Sequence, residues 1–221
     1  REKGNVLAVE VHKRSMSSYL DSQDFFRFFG IFRSVSLLAK PAAHVEDLWA
    51  KPELSKDGNG GLSVSLKLSM PEGKQGRAAV TLMDKEGNEV LSHHMLLPGD
   101  ERAVRACTKE SANENAAEAC REKNCDSKGN ILSGYRMVDC EMSPRNIEAV
   151  TPWDHHNPYL YTLAVTVLDD SGNVTEVVSL KIGFRRIDIE HKVMVLNGKR
   201  LVICGVNRHA WNAKTARCIN K

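Results

Sequence analysis

Three polar residues that could take part in chemistry, Asn207, Arg208 and His209, closely follow the apolar run of residues 201–204. In α/β barrels, catalytic side chains lie at the carboxyl ends of the strands. The same placement also arises wherever a strand simply ends. These three residues are therefore a first candidate site. Whether they are functional or merely follow the end of a strand depends on the rest of the chain.

A second candidate lies in residues 18–37, where Asp21, Asp24, Arg27 and Arg33 occur among a run of phenylalanines. Aromatic faces stack on the apolar side of a sugar or small polyol, and carboxylates accept hydrogen bonds from its hydroxyls. In the alternative interpretation, the phenylalanines belong to a core and Asp24 pairs with an arginine. The composition alone leaves both interpretations open.

The cysteines and histidines do not have the spacing of a metal site. The chain has six cysteines, namely Cys107, Cys120, Cys125, Cys140, Cys204 and Cys218. Zinc ribbons need close pairs of cysteines, which are absent here, so thiols in a reducing compartment are expected, or a disulfide if the protein is exported. The adjacent pairs His93-His94 and His155-His156 would point to opposite faces of a strand and are expected at the surface.

The composition argues against nucleic-acid and membrane partners. The 221 residues include 31 basic and 28 acidic ones, spread along the chain, with a formal net charge of +3. A nucleic-acid surface needs a clustered basic stripe, and a membrane span needs about 18 consecutive apolar residues. The first residues lack the layout of a signal peptide and already follow a strand pattern. We therefore expect a bacterial cytoplasmic protein whose amino terminus has been cut.

Most of the chain alternates apolar and polar residues with the period of a β-strand. Residues 62–70, 77–97 and 159–184 predict strands separated by turns at residues 86–88 and 170–173. Short strands of this kind predict an immunoglobulin-like antiparallel β-sandwich over residues 41–186. Residues 107–130 break the pattern and predict an inserted loop, with a short helix at residues 115–122.

The two ends of the chain predict strands that do not belong to the sandwich. Residues 6–11 and 34–39 are expected to be strands on the amino-terminal side. On the carboxyl-terminal side, Asn197-Gly198 is a strong signal for a two-residue hairpin turn. The apolar run of residues 201–204 is expected to be a further strand that leads to Asn207.

Together, the two candidate sites support a resemblance. The segments "SYLDSQDFFRFFGIFRSVSLLAKP", "NPYLYTL", "GFRRIDI" and "LNGKRLVICGVNRH" occur in an order that resembles glycoside hydrolase family 2, specifically the large bacterial β-galactosidases. The resemblance implies that the chain is an internal fragment of mostly β structure. Residues 1–40 would close a jelly-roll sugar-binding domain, residues 41–186 would form the sandwich, and residues 187–221 would start a (β/α)8 catalytic barrel.

The resemblance also implies an activity and roles for residues. The parent would hydrolyse terminal β-D-galactosides such as lactose with retention, using Mg²⁺ and Na⁺, and would be a homo-oligomer. Asp24 would hold the galactose 6-hydroxyl and the monovalent ion, His209 would lie against the sugar hydroxyls, and Asn207 and Arg208 would shape the pocket floor. Both catalytic glutamates would lie on later barrel strands, so the isolated chain is expected to be inactive.

The sequence departs from the family pattern at two positions near His209. Ala210 replaces the usual acidic residue, and alanine stands near position 216 where glycine is usual. Two alternatives remain. One is a non-catalytic carbohydrate-binding or scaffolding module, and the other is a fragment of a β-glucuronidase or β-mannosidase of the same family.

Overall fold

A computed structural model describes residues 6–20, 30–31, 33–97, 121–123, 135–209 and 211–216. The chain divides into two compact units. One unit is Lys40–Ile203, and the other combines Arg1–Ala39 with Cys204–Lys221.

The described residues are almost entirely antiparallel β-structure with one short 3₁₀ helix, Met16–Tyr19. The strands are β1 (His44–Leu54), β2 (Gly60–Pro71), β3 (Gly76–Met83), β4 (Glu89–Leu97), β5 (Arg121–Lys123), β6 (Tyr135–Ile147), β7 (Tyr161–Asp169), β8 (Val174–Ile182), β9 (Ile187–Glu190), β10 (Val193–Leu196) and β11 (Lys199–Arg200). They form a sheet of order β1-β2-β6-β5, a sheet of order β4-β3-β7-β8 and a small sheet of order β11-β10-β9.

The two four-stranded sheets pack through the alternating apolar positions of their strands. On β2, Leu62, Val64, Leu66, Leu68 and Met70 are at most 2% exposed, whereas Ser63 and Ser65 between them are partly exposed. On the other sheet, Leu163, Val165 and Val167 of β7 are completely buried. Both sets belong to one hydrophobic cluster. The predicted antiparallel β-sandwich is therefore confirmed.

Three hairpin turns of the sandwich share a five-residue pattern, which is Asp or Ser, any two residues, Gly and Asn. It occupies residues 55–59, 84–88 and 169–173, and each glycine has a φ between 83° and 91°. In residues 84–88, the backbone N–H and side-chain amide of Asn88 both donate to the Asp84 carboxylate, each at 2.8 Å. Asn173 binds Asp169 in the same way, at 2.8 and 3.1 Å. The side chains thus close turns in which glycine supplies the left-handed conformation.

The expected helix at residues 115–122 is wrong where the structure describes it. Arg121–Lys123 is a strand that pairs antiparallel with β6, with Glu122 opposite Val138. The remainder of the insertion lies outside the described residues. The edge of β6 presents backbone groups that need hydrogen-bond partners, and this demand outweighs the weak local helix preference.

The strands expected at residues 6–11, 34–39 and 201–204 are also wrong, because no strand is assigned there. Their apolar side chains are exposed, with Val6 92%, Leu37 93% and Ile203 71% accessible. The alternating pattern meets the side-chain requirement for a strand. A strand also needs a neighbour that pairs with it along its length. Within the described part of the chain, no strand pairs with residues 6–11 or 34–39, and at residues 201–204 the pairing with β10 stops after the bond from the Leu201 N–H to the Met194 carbonyl at 2.8 Å.

No helix in the described ranges has both the length and the apolar character needed to cross a membrane.

Acidification is predicted to weaken the turns at residues 84–88 and 169–173. Hydrogen bonds from the Asn88 side chain hold the pKa of Asp84 below its ordinary value of 3.8, and the backbone N–H of Asn173 lowers the pKa of Asp169 from the same value. A lowered folded-state pKa adds stability above the unfolded pKa, and this stability is lost as the pH falls through the folded value. We expect the loss of Tm below about pH 4 to be smaller in an Asp84→Asn/Asp169→Asn variant than in the wild type.

The measurement is a set of thermal melts between pH 7 and pH 3 on both proteins. The double variant removes the titrating groups while keeping side chains of the same shape. Identical pH profiles would show that these carboxylates do not contribute to the acid sensitivity.

Candidate functional site

The hairpin that precedes the candidate residues has the predicted two-residue turn. Leu196 of β10 pairs with Lys199 of β11, and Asn197 and Gly198 have φ values of 50° and 81°. Positive φ at both central residues is the signature of a type I′ turn, whose twist matches that of the flanking strands. Val195 and Leu196 are buried, so the carboxyl-terminal end of β10 is packed on both faces.

Asn197 ties this hairpin to the end of the sandwich. Its side-chain oxygen accepts a hydrogen bond from the Arg186 N–H at 2.8 Å, and its side-chain amide donates to the Trp153 carbonyl at 3.0 Å. The Asn197 N–H also donates to the Arg186 carbonyl at 2.9 Å. One asparagine thus joins the hairpin, the segment after β8 and the loop before β7.

The loop that carries Trp153 packs closely on the segment after β8. The Trp153 N–H donates to the Phe184 carbonyl at 2.8 Å. A Cβ added at Gly183 would lie 2.9 Å from the Trp153 Cβ, so only glycine permits this approach without a shift. The Arg185 guanidinium lies 5.0 Å from the centre of the Trp153 ring, within cation–π distance.

The sequence analysis recognised the Asn197-Gly198 turn but missed the bonds that the Asn197 side chain makes. Asparagine is one of the few residues that tolerate a left-handed backbone, and this explains its place in the turn. Its partner Trp153 lies 44 positions earlier in the chain. No local pattern indicates that contact.

The first candidate residues, Asn207, Arg208 and His209, are exposed and lie in irregular backbone beyond β11. Their side chains offer amide, guanidinium and imidazole groups that can bind hydroxyls through hydrogen bonds. No carboxylate is among them, so these three residues can bind and orient a ligand but do not form an acid–nucleophile pair.

The second candidate residues are mostly untested by the structure. Asp21, Asp24 and Arg27 lie outside the described residues, and Arg33 is exposed. The segment that carries them and the segment that carries His209 belong to the same compact unit. The roles of Asp24 and His209 remain predictions.

The histidine and cysteine predictions have mixed outcomes. His94, His155 and His156 are exposed as expected, whereas His93 is half-buried and its Nδ1 lies 3.4 Å from Arg145 Nη2 of the other sheet. Cys140 is buried in the core and Cys204 is exposed, and the other cysteines lie outside the described residues. Across the described ranges, no three His, Cys, Asp or Glu side chains are grouped as a metal site.

Comparison with protein families decides the family of the chain. The family described as "Glycosyl hydrolases family 2" matches residues 43–185, and its TIM barrel domain matches residues 187–221. The chain belongs to glycosyl hydrolase family 2. The resemblance predicted from the sequence is confirmed at this level.

Similar curated proteins within family 2 are β-galactosidases. The "Beta-galactosidase large subunit" of Latilactobacillus sakei is 39% identical over 219 residues, which are 99% of this chain and 28% of that protein. The large subunit of Lactobacillus helveticus is 38% identical over 220 residues, covering 99% of this chain and 29% of that protein. The chain thus spans under a third of the length of these relatives.

Solved structures support the fold of this family 2 chain. The β-glucuronidase of Parabacteroides merdae matches with a TM-score of 0.63 and 22% identity, covering 90% of this chain and 21% of that one. The enzyme from Ruminococcus gnavus matches with a TM-score of 0.52 and 17% identity, covering 81% of this chain and 22% of that one. At these identities, the likeness shows a shared fold and carries no information about the sugar.

The expected glycine near position 216 has a structural reason. Ala216 has a φ of 55°, in the left-handed region that favours glycine. Ala216 and Asn212 exchange two backbone hydrogen bonds, each at 2.8 Å, so the turn between them is closed. This family 2 chain therefore holds an alanine in a strained conformation close after His209.

Replacing Asn197 with alanine is predicted to destabilise the junction between the sandwich and the hairpin of β10 and β11. Asn197→Ala removes both side-chain hydrogen bonds and should lower the free energy of unfolding by about 1–3 kcal/mol. Urea unfolding gives the free energy, and amide exchange of Arg186 reports the junction directly. Asn146→Ala, at an exposed position on β6, is the matched control and should be close to neutral. Equal effects from the two variants would contradict the role of Asn197.

Replacing Ala216 with glycine is predicted to stabilise the turn at residues 212–216. A left-handed backbone costs an L-residue roughly 1–2 kcal/mol, whereas the extra freedom of glycine in the unfolded chain costs only about 0.4–1 kcal/mol. Amide exchange of Ala216 and Asn212 should therefore slow in Ala216→Gly. Ala213→Gly, in the same turn without a positive φ, should speed exchange. Faster exchange in Ala216→Gly would show that the turn is not strained.

Proposed function

We propose that this chain is the central part of a retaining β-galactosidase that hydrolyses terminal β-D-galactosides such as lactose. The observation that carries the proposal is the alignment of 99% of the chain with a β-galactosidase large subunit at 39% identity. That alignment covers both candidate sites and the hairpin between β10 and β11. The β-glucuronidase structures share only the fold at 22% identity or less, so they do not favour the alternative substrate.

In this proposal, the domains of the chain have the roles that the resemblance implies. Residues 1–40 close a jelly-roll domain, residues 41–186 are the immunoglobulin-like scaffold, and residues 187–221 open the catalytic barrel. The rigid sandwich and the Asn197 junction hold the first barrel hairpin. The exposed Asn207, Arg208 and His209 supply hydrogen-bonding groups to the sugar, and Asp24 accepts a hydrogen bond from the galactose 6-hydroxyl.

The covalent chemistry in this proposal is carried by residues outside the chain. A retaining glycosidase uses two carboxyl groups about 5–5.5 Å apart, one as acid and base and the other as nucleophile. These are proposed to be two glutamates of the barrel beyond position 221. The residues of this chain then contribute binding and orientation, which lower the barrier only when the reacting groups are also in place.

Mg²⁺ and Na⁺ are proposed for the parent enzyme. The carboxylate of Asp24 is a hard oxygen donor of the kind such cations prefer, which fits the proposed monovalent-ion site. Bound there, the ion would help to hold the galactose 6-hydroxyl. Among the described residues, no group of three or more His, Cys, Asp or Glu side chains is placed to hold a metal ion.

The parent is further proposed to be a homo-oligomer of the bacterial cytoplasm. Its partners would be the galactoside and the rest of the enzyme chain, without nucleic acid or membrane. The relatives named as large subunits support assembly with another polypeptide.

The proposal predicts activity in a chimera and none in the isolated chain. The chain would replace the matching segment of the Latilactobacillus sakei large subunit, assayed with that enzyme's other components. The chimera should hydrolyse a chromogenic β-galactoside, and the purified chain alone should not. His209→Ala in the chimera should reduce kcat/KM by about 100-fold or more, as for loss of one transition-state contact.

His94→Ala, at an exposed position on the sandwich, is the matched control in the same chimera and should leave kcat/KM unchanged. Preference for a glucuronide over the galactoside would overturn the proposed substrate. Turnover by the isolated chain would overturn the proposed location of the reacting carboxylates.

A further inference from the structure

The strand register shows which side chains lie on the outer face of the β4-β3-β7-β8 sheet. Val80 and Leu82 of β3 are completely buried in the core, so the alternate residues of β3, such as Thr81, point away from it. Residues that pair across neighbouring strands point to the same side. The pairing of the four strands therefore arranges the outward side chains in rows across the sheet.

This outer face consists mainly of small and apolar side chains. Three of its apolar side chains are strongly exposed, namely Leu96 (62%), Val174 (59%) and Val177 (57%). The small residues at its centre are Ala79, Thr81, Ala164 and Thr166. Exposed apolar side chains grouped on one face are typical of a surface that another protein covers.

The outer face of the other sheet has a different composition. One of its rows runs across β1, β2 and β6 through Asp47, Lys67 and Asp139, so three charged residues are direct neighbours. Covering such a row would remove several charges from water at a high cost. In the rows of the β4-β3-β7-β8 face, no two charged residues are neighbours, so this face is the better suited to be covered.

Opposite charges occupy the two ends of one row of this face. Glu89 of β4 pairs with Met83, Met83 with Thr162, and Thr162 with Lys181 of β8. Glu89 and Lys181 are both exposed, and Lys181 Nζ donates to Thr162 Oγ1 at 2.6 Å, so these two side chains lie on the same face. Three strand spacings of about 4.8 Å separate Glu89 from Lys181 by roughly 14 Å, which is too far for an ion pair within one chain.

We propose that this outer face packs against the same face of a second copy of the chain. The twofold axis runs parallel to the strands, between β3 and β7, within the roughly 30° by which packed twisted sheets are rotated. It places β3 over β7 and β4 over β8 of the second copy and keeps each row opposite itself. Each Glu89 then meets Lys181 of the second copy, so that two intermolecular ion pairs form.

The same axis brings matching side chains together in the other rows. In the end row, Leu96 lies opposite Val174 of the second copy, so two exposed apolar side chains cover each other. The small central residues face one another and allow the separation of about 10 Å that is usual for packed sheets. Arg77 lies opposite Leu168, where its aliphatic stem can cover the leucine while its charged head reaches water.

The dimensions of the face predict a reversible dimer. Four strands about 4.8 Å apart and eight residues long, at about 3.3 Å per residue, cover roughly 19 by 26 Å. Two such faces bury about 1,000 Å² together, which is at the low end for a specific interface. This surface rests on the homo-oligomer proposed above and involves no sugar chemistry.

Sedimentation equilibrium on the complete 221-residue chain is the first test. The protein is measured between about 10 µM and 1 mM, a range that includes weak dissociation constants. The weight-average mass should rise with concentration from 24.6 kDa toward twice that value. A mass that stays at the monomer value throughout would overturn the proposal.

Charge reversal tests the two ion pairs. Glu89→Lys and Lys181→Glu should each weaken self-association at least about tenfold, because both contacts then bring like charges together. A mixture of the two single variants should associate again, because one supplies the cation and the other the carboxylate at both contacts. Glu141→Lys is the matched control, since it makes the same charge change on the outer face of the other sheet. It should leave association unchanged.

A cross-link on the wild type does not depend on the folding of any variant. A carbodiimide joins a carboxylate to an amine with loss of water, and a mixture of ¹⁴N and ¹⁵N chains distinguishes links between copies from links within one. The expected product joins Glu89 of one copy to Lys181 of the other. Self-association without this link, or without recovery in the mixture of single variants, would overturn this interface and leave the homo-oligomer to another surface. The galactoside assay reports separately on the proposed activity.

Discussion

The packed interior between the two four-stranded sheets is the constraint on which the rest of the described structure depends. Leu62, Leu68, Leu163, Val165 and Val167 are completely buried there. Each such side chain contributes about 1.5–3 kcal/mol by leaving water. Because the side chains of a strand alternate between two faces, this burial also determines the register of each strand. The outer faces, edges and turns are then placed as a consequence.

A small set of contacts joins the end of the sandwich to the hairpin of β10 and β11. The residues that make these contacts are Trp153, Gly183, Arg186 and Asn197. Gly183 lets the Trp153 loop approach closely, and Asn197 bridges that loop to the hairpin of β10 and β11. Such a junction suits a scaffold, because backbone hydrogen bonds fix the direction of the chain without requiring a large interface. The two family matches meet at this point, between residues 185 and 187.

The described candidate ligand-binding residues lie outside the regular strands. Asn207, Arg208 and His209 are exposed in irregular backbone, and Asp24 lies outside the described residues. Binding groups on such segments act at their full strength only when a rigid neighbour holds them. This division between a packed sandwich and an irregular segment at Asn207, Arg208 and His209 agrees with a part of a larger family 2 enzyme, in which the barrel would complete the site.

The sequence alone determined the features that depend only on residues close together in the sequence. The alternation of residues 62–70 placed one face of β2 in the core, and Asn197-Gly198 specified its turn, because both follow from local backbone geometry. The pattern of residues 55–59 recurs in two other hairpins. It also depends on local backbone geometry, but the sequence analysis did not identify it as a repeat. The motifs around Asp24 and His209 indicated the family, but their contacts in a site stay predictions.

Only the tertiary structure decided whether an alternating segment becomes a strand. Residues 6–11 have the pattern but no strand, whereas Arg121–Lys123 lacks the pattern and pairs with β6. The bond between Asn197 and the Trp153 carbonyl joins residues 44 positions apart. The reason is the same in each case. Backbone and side-chain hydrogen bonds need a partner that the fold brings close, and local sequence does not specify that partner.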